Sequence, residues 1–418
     1  MSKHIIEDAK RCLQCKTPFC AKGCPIATPI RDAIALLLDN KLEAAGKMLF
    51  ENNPLSLVCC HVCHQENQCE GHCVLGKSGA PVFISAIEKY ISDFYLNIYQ
   101  PVPSTKENGK IAIIGSGPAG ITIAFLLARK NYDVTIFEGQ NSIGGVLRYG
   151  IPEFRLPKTI IDRIVDILYR SGVKIRPNTS IGTNLSVDDL LRDGFRAVFM
   201  GTGVWQPYRL NIKGESFGHV HYAIEYLKSP AAYRLGDSLT IIGAGNVAVD
   251  AARTAVRHGC RHVQIFSHLD AESGITAHPG EVEYAKIDGI RFELMKSVVE
   301  ITDDGVIFAD SEVFIDENGQ KQVRPISGTE KLEPSDSVII AISQGPRSVI
   351  VSSTTGIDVG RSGLVTVDNF GHTSKEGIFA GGDVVTGAKT VVEAVVVSRR
   401  VADAMHEYVS QKYSSPQS

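Results

Sequence analysis

Two apolar runs set the pattern of this chain. Ile111–Ile114 and Leu239–Ile242 both stop abruptly in glycines, the first at Gly115-x-Gly117-x-x-Gly120 and the second at Gly243-Ala-Gly245-Asn-Val-Ala248. A short continuous apolar run bounded by turn residues reads as a buried parallel strand. The segments after the turns, Ile121 to Lys130 and Val249 to His258, read as helices. Second strands are expected at Asp133–Phe137 and His262–Phe266. A strand, a glycine turn and a helix together predict a site for a dinucleotide pyrophosphate. The first two glycines allow the tight turn and a close backbone approach, the third lets helix pack on strand, and the helix N-terminus presents free N–H groups to the anion. Glu138 closes the second strand 23 residues after Gly115, where an acid can bind ribose hydroxyls.

The chain before Lys110 follows another rule. Ile30 to Leu38, Lys41 to Phe50 and Ile84 to Tyr99 carry apolar residues at helical spacing, with Ile84, Ile87, Ile91, Phe94 and Ile98 on one side of the last. Residues 1–105 are therefore expected to form a small helical domain, too short of core to stand without a metal. A turn-rich linker, 100–109, follows. The first nucleotide fold is assigned to 110–235 and 345–418, interrupted by a Gly- and Pro-rich loop over Gly144 to Lys158, and the second to 236–344. Alternation from Ile290 to Ser343 predicts short strands and hairpins, with a turn at Glu317-Asn318-Gly319. After Gln344-Gly345-Pro346 strands resume, and Gly377 to Ala404 reads as a return to the first fold. Two nucleotide folds, one inserted in the other, suit an enzyme that passes a hydride between dinucleotides.

Composition narrows the class. At 418 residues, 44% hydrophobic and 21% charged, the chain is an ordinary globular protein of two or three domains. A net charge of −3 without a long basic run argues against nucleic acid or an anionic membrane as the main partner. No apolar stretch is long enough to span a bilayer, and MSKHIIEDAKRCLQC lacks the apolar core of a signal peptide, so the cytoplasm is the expected location.

Of ten cysteines, nine lie between Cys12 and Cys73. With no export signal, metal or cluster binding is preferred to a disulfide framework. The groups are Cys12-x2-Cys15-x4-Cys20-x3-Cys24-Pro25 and Cys59-Cys60-x2-Cys63-x5-Cys69-x3-Cys73. Four-cysteine zinc sites usually pair two short knuckles and would leave five cysteines idle. A run ending in Cys-Pro, whose last cysteine serves the other cluster of a pair, is an iron-sulfur pattern. Cys12, Cys15 and Cys20 would then hold one 4Fe-4S cluster, completed by Cys73. Cys24, Cys63 and Cys69 supply three ligands to a second. Its fourth must come from Cys59, Cys60, a nearby histidine or a carboxylate. At least one of Cys59 and Cys60 is expected to be a packed thiol, and His61, His64 and His72 to lie at the surface or in hydrogen bonds. Read from the helix alone, Glu88 is a solvated carboxylate.

The segments PFCAKGCP, NPLSLVC, QCEGHCVLG, PVFISAIEKY, IGGVLRYGIPEFRLPK and FAGGDVVTGAKTVVEA, with both glycine turns, resemble the family of the small, NADPH-oxidising subunit of bacterial glutamate synthase. That family includes the electron-input part of dihydropyrimidine dehydrogenase and the large subunit of NADH-dependent ferredoxin:NADP oxidoreductase. The resemblance covers nearly the whole chain. It implies an α/β architecture of two Rossmann-like domains, glutathione-reductase-like with the NAD domain inserted in the FAD domain, behind a helical domain with two 4Fe-4S clusters. It implies Cys12, Cys15, Cys20 and Cys73 as ligands of one cluster, and Cys24, Cys63, Cys69 and Glu88 of the other. Cys60 stands where glycine is usual, and His64 where proline is usual. For FAD it implies Gly115, Gly117, Pro118, Ala119 and Gly120 at the pyrophosphate, Glu138 at the ribose, and Gly145, Leu147 and Arg148 beside the flavin. Gly382 and Asp383 would bind the ribityl or pyrophosphate region, and Thr390 and Val391 would open a helix aimed at the flavin N1/O2 edge.

The nicotinamide cofactor would lie on Gly243, Gly245, Asn246 and Val247. Relatives that prefer NADPH carry Tyr-Arg-Arg after the second strand. Here Ser267-His268-Leu269 stands instead, and the arginine clamp for the 2'-phosphate is gone. Asp270 falls a few residues late for a ribose hydroxyl. His268 attracts phosphate only weakly, so NADH is favoured. The expected function is an electron-input flavoprotein that oxidises NAD(P)H through FAD, with no catalytic side chain, and passes single electrons through the clusters. The acceptor would be a larger oxidoreductase subunit, as in glutamate synthase, or a ferredoxin, in a hetero-oligomer. The NADH-oxidising subunit of a dihydropyrimidine dehydrogenase and an electron-bifurcating subunit are alternatives, and a redox sensor or assembly module is the non-enzymatic one. Cys260 reads as a packing residue.

Overall fold

A computed structural model describes residues 2–269, 275–317 and 319–413. Asp270 and Asn318, and with Asn318 the expected turn, lie outside the described residues. The chain divides into two compact units, one holding residues up to Arg148, Glu153–Val204 and Gly345 onward, the other Tyr149–Pro152 and Trp205–Gln344. No described helix is long and apolar enough to cross a membrane.

The first unit begins with helices α1 (Ser2–Lys10), α2 (Phe19–Gly23), α3 (Ile30–Leu38), α4 (Leu42–Asn52), α5 (Ser56–Val62) and α6 (Ile84–Ile98). Ile30, Ile34, Leu37, Leu49, Ile84, Ile87 and Ile91 form a core shared by α3, α4 and α6, with Cys12, Cys20, Cys69 and Cys73 packed against it. The helical spacing of these apolar residues is what turns them inward.

Strand β1 (Lys110–Ile114), helix α7 (Pro118–Arg129) and strand β2 (Asp133–Phe137) follow. The helix starts three residues earlier than its apolar pattern suggests, because Pro118 takes its first position, where a fixed φ is already helical and no N–H is missed. The sheet is parallel, in the order Ile378–Ala380, Phe195–Met200, β1, β2, Lys174–Arg176. Ile378–Ala380 thus brings the C-terminal part of the chain back to the first fold. Between Gly345 and this strand the chain forms a helix, Val349–Ser353, and isolated bridges where strands were expected. The final helix is Val391–Tyr413.

The helical region and this nucleotide fold pack as one body. Phe50 meets Tyr99 and Phe125 at ring-centroid distances of 4.6 and 5.0 Å. Arg163 pairs with Asp93 at 2.7 Å, and Arg399 donates to the Asn52 side chain at 3.2 Å.

The second unit is built on a parallel sheet in the order Val220–Tyr222, Ser337–Ile340, Ser238–Ile242, His262–Ser267, Arg291–Leu294. Val220–Tyr222 has no long apolar run, yet it joins this sheet, and the main segment of the unit runs from Trp205 to Gln344, where 236–344 was expected from the glycine turn. The alternating stretch forms the antiparallel strands Lys296–Thr302, Gly305–Ile315, Lys321–Pro325 and Lys331–Pro334.

Candidate functional site

The turn after β1 has room only for glycine at two points. Gly115 has φ +94°, and a Cβ there would lie 2.6 Å from the Gly201 carbonyl oxygen; at Gly120 it would lie 2.0 Å from the carbonyl oxygen of Gly115. A Cβ on Gly117 would meet nothing within 4 Å, so that side of the turn is open, as a pyrophosphate requires. Pro118 and Ala119 begin α7, whose first N–H groups have no partner within the helix.

Glu138 is buried at the end of β2. One carboxylate oxygen accepts from the Ser116 N–H at 3.0 Å and from its hydroxyl; the other accepts from the Gln140 N–H at 2.7 Å. The Ser116 hydroxyl also accepts from the Gly144 N–H at 3.1 Å. The acid therefore ties the glycine turn to the loop beyond β2. In that loop Gly145 takes φ +50° and Leu147 is fully buried. Arg148 is anchored by the Ile143 carbonyl at 2.6 Å and by Asp162.

Gly382, at φ +75°, precedes Asp383 at the start of a one-turn helix, Asp383–Thr386. Burial pushes the Asp383 carboxyl up to about 6, and its oxygen accepts weakly from the Lys389 N–H at 3.3 Å. Thr390 and Glu393 cap the final helix reciprocally: the Thr390 N–H donates to the Glu393 carboxylate at 3.0 Å, and the Glu393 N–H to the Thr390 hydroxyl at 3.4 Å. Val391 opens that helix. A glycine cradle, an acid at the end of the second strand and a buried acid beside a helix start suit a dinucleotide such as FAD.

In the second unit Gly243 takes φ +113°, and a Cβ there would approach the Ala341 carbonyl oxygen to 2.4 Å. Gly245 precedes the helix Asn246–Arg257, with Asn246 and Val247 in its first turn. Two residues that the sequence reading missed hold this turn. The Thr276 N–H donates to the Ala244 carbonyl at 3.2 Å, and the His278 N–H to the Asn246 side chain at 2.8 Å. The only sequence signal was Pro279, which starts the next helix just after His278. His268 is exposed, Ser267 is buried, and the Leu269 N–H donates to the Ser267 hydroxyl at 3.3 Å.

The thiols fall into two groups. Cys12, Cys15, Cys20 and Cys73 line one cavity, with Ile30, Ile34, Val82 and Ile84 behind them. Burial raises the Cys12 and Cys20 thiols, and the neighbouring cysteines raise them further. The second group gathers around Glu88. Burial, then the charges of Glu88, Glu70 and Cys24, raise Cys69. A hydrogen bond with Cys59, then burial and the charges of Cys59, Glu88 and Cys69, raise Cys63.

Glu88 corrects the reading of its helix alone. It is 8% exposed, and burial pushes its carboxyl up to about 8. Ile84, Ile87 and Ile91 turn inward with it, so a position that adjoins the apolar face is carried into the core. Cys60 is the packed thiol, donating to the Leu57 carbonyl at 3.0 Å; Cys59 accepts from the Asn53 side chain at 3.3 Å. His72 is hydrogen-bonded to the Gln68 carbonyl at 2.6 Å, whereas His61 has a buried Nε2 without a partner.

Among the described residues no three His, Cys, Asp or Glu side chains converge as ligands of a single metal ion. A four-iron cluster takes one ligand per iron, so its thiolates stand farther apart than those around one ion. The donor set, soft thiols around apolar walls, suits such clusters.

Residues 109–400 match the family described as pyridine nucleotide-disulphide oxidoreductase, and 1–98 match the 4Fe-4S domain II of dihydropyrimidine dehydrogenase. The chain is 30% identical to the glutamate synthase [NADPH] small chain of Escherichia coli K12, over 96% of this chain and 90% of that one. It is 33% identical to the NAD-dependent dihydropyrimidine dehydrogenase subunit PreT of Salmonella typhimurium, over 98% and 95%. Among solved structures, FprA of Mycobacterium tuberculosis in complex with NADPH shares the fold with a TM-score of 0.60 at 16% identity, over 74% of this chain and 85% of that one. The chain is therefore an oxidoreductase of the pyridine nucleotide-disulphide oxidoreductase family, with an FAD- and NAD(P)-binding fold behind a 4Fe-4S domain.

Proposed function

We propose that this chain is the electron-input component of a larger oxidoreductase, taking a hydride from NADH and delivering single electrons to a partner subunit. The observation that carries the reading is the packing of two thiol groups and the glycine turn Gly115–Gly120 into one compact unit. FAD, when bound, supplies the conversion between two-electron and one-electron chemistry, and the clusters supply one-electron transfer. The residues of the chain bind and orient. Gly115, Gly117, Pro118, Ala119 and Gly120 would seat the FAD pyrophosphate, Glu138 its ribose, and Asp383 its ribityl or pyrophosphate region. Gly145, Leu147 and Arg148 would flank the ring, with Gly382 and the helix start at Thr390 and Val391 beside it.

Gly243, Gly245, Asn246 and Val247 would seat NADH, with His268 at the adenosine ribose. Cys12, Cys15, Cys20 and Cys73 would hold one cluster, and Cys24, Cys63, Cys69 and Glu88 the other. The substrate-side chemistry would reside in the partner. A second reading, the NADH-oxidising subunit of a dihydropyrimidine dehydrogenase, draws on the exposed His268 where an arginine clamp would select NADPH. Anaerobic mixing with NADH tests the proposal. It expects about eight iron atoms and one FAD per chain, rapid bleaching of the flavin, and reduction of two ferricyanide per NADH. A flavin that NADH does not bleach would leave a redox sensor or assembly module.

A further inference from the structure

The first thiol group lies beside an unusual surface. Leu13 and Phe19 line the cavity of Cys12, Cys15, Cys20 and Cys73, yet Leu13 is 62% and Phe19 49% exposed. A broad concavity adjoins it and shares Phe19, His72, Cys73 and Val74. From Lys10 to Cys24 the sequence holds Lys10, Arg11, Lys16 and Lys22 and no acid. Lys10 pairs with Glu7 and Arg11 with Asp8, so those two are neutralised.

Lys16, Lys22 and Lys77 are exposed. Lys22 stands 5.4 Å from the Phe19 ring centroid, and Lys77 borders the concavity. Of the acids lining the concavity, Glu70 is occupied by the Ser85 N–H at 2.8 Å and hydroxyl at 2.7 Å, which leaves Glu66 as the exposed one. The second group stands near Glu88 and Cys59, both of which are buried.

Apolar side chains held in water beside a redox centre, with exposed Lys22 and Lys77 beside them and exposed Lys16 between Leu13 and Phe19 in sequence, have the composition of a docking face, with an apolar centre and a charged rim that steers the encounter. We propose that this face, Leu13 and Phe19 at the centre and Lys16, Lys22 and Lys77 at the rim, docks an acidic redox protein whose one-electron centre lies just beneath its own surface. The inference rests on the electron-input reading above and adds where electrons leave and what charge receives them. The balance is NADH plus two oxidised acceptors giving NAD+, one proton to solvent and two acceptors each reduced by one electron.

Two coloured probe proteins of opposite charge test it with the full-length holoprotein: cytochrome b5, acidic around its haem edge, and cytochrome c, basic there. The expected result is that NADH-driven reduction of cytochrome b5 at low salt is about tenfold faster than that of cytochrome c and falls as salt rises. Lys16→Glu/Lys22→Glu/Lys77→Glu should reverse the order while NADH bleaching stays unchanged. Binding to the immobilised protein, read by surface plasmon resonance without NADH, should show the same preference and the same reversal. Leu13→Ser/Phe19→Ser, accepted only at wild-type iron content, should weaken both cytochromes. A binding preference for cytochrome c, or one that the charge reversal leaves unaltered, overturns the docking face. Loss of NADH bleaching in the wild type would instead overturn the electron-input reading, and the binding arm would still decide this one.

Discussion

Phe125 of the helix that opens at the first glycine turn packs edge-on against Phe50 of the helical region, with ring centroids 5.0 Å apart and planes at 80°. Both side chains are buried. The contact fixes the thiol-bearing helices to the nucleotide fold through the core, where a one-methylene change is felt. Phe50→Ala should cost about 3 to 5 kcal/mol in chemical denaturation. It should also slow reduction of a protein acceptor more than it slows flavin bleaching. Equal slowing of both would mean that the joint does not serve transfer.

Asp383 gives a pH dependence. Its folded carboxyl titrates at about 6 against an ordinary value of 3.8, so burial disfavours the charged form. The flavin-free protein should lose stability as pH rises from about 4 to about 6, and the penalty should then stay constant. Its ceiling is about 3 kcal/mol. Asp383→Asn should remove this contribution and leave a shallower slope, part of which comes from the buried Glu88. Urea midpoints of the flavin-free wild type and variant, measured at pH 5 and pH 7.5, check this; parallel midpoints would rule it out.

Glu88, buried near Cys63 and Cys69, is the proposed fourth donor of the second thiol group. Glu88→Ala should lower iron to about half while leaving the first group loaded. Glu88→Gln, which keeps a coordinating oxygen, should retain more iron than the alanine variant. Iron assays on anaerobically purified protein decide it, and an unchanged iron content in Glu88→Ala would assign the ligand elsewhere, with Cys59 beside Cys63 the next candidate.

The proposed preference for NADH rests on Ser267-His268-Leu269. Wild-type kcat/KM should favour NADH, and replacing the three residues with Tyr-Arg-Arg should raise the NADPH to NADH ratio by about 10- to 100-fold, the worth of a charge-assisted phosphate clamp. A wild type that uses both cofactors equally would contradict the assignment.

Where one residue type has one physical use, the site could be read before the structure. Gly115 and Gly120 admit no Cβ, and Glu138 ends a strand, so the first turn was legible from spacing alone. Nine clustered cysteines announced metal chemistry in the same way. Glu88 was not legible from its helix, because a carboxylate next to an apolar stripe reads as solvated until the fold buries it. Val220–Tyr222 escaped because three residues of mixed polarity carry no period, and only pairing with Ser337–Ile340 makes them a strand. Thr276 and His278 hold their turn mainly through backbone N–H groups, which every residue type owns. The segment after Gly345 was read as strands, but up to Ile378 it holds a helix, Val349–Ser353, and isolated bridges.

The most direct test of the account separates its two halves in one variant. Cys20→Ala removes one thiol of the first group and leaves both glycine turns intact. Stopped-flow mixing with NADH under anaerobic conditions, with cytochrome b5 as acceptor, should show wild-type flavin bleaching and loss of nearly all cytochrome reduction. Cytochrome reduction at the wild-type rate in that variant would contradict the route through the thiol groups.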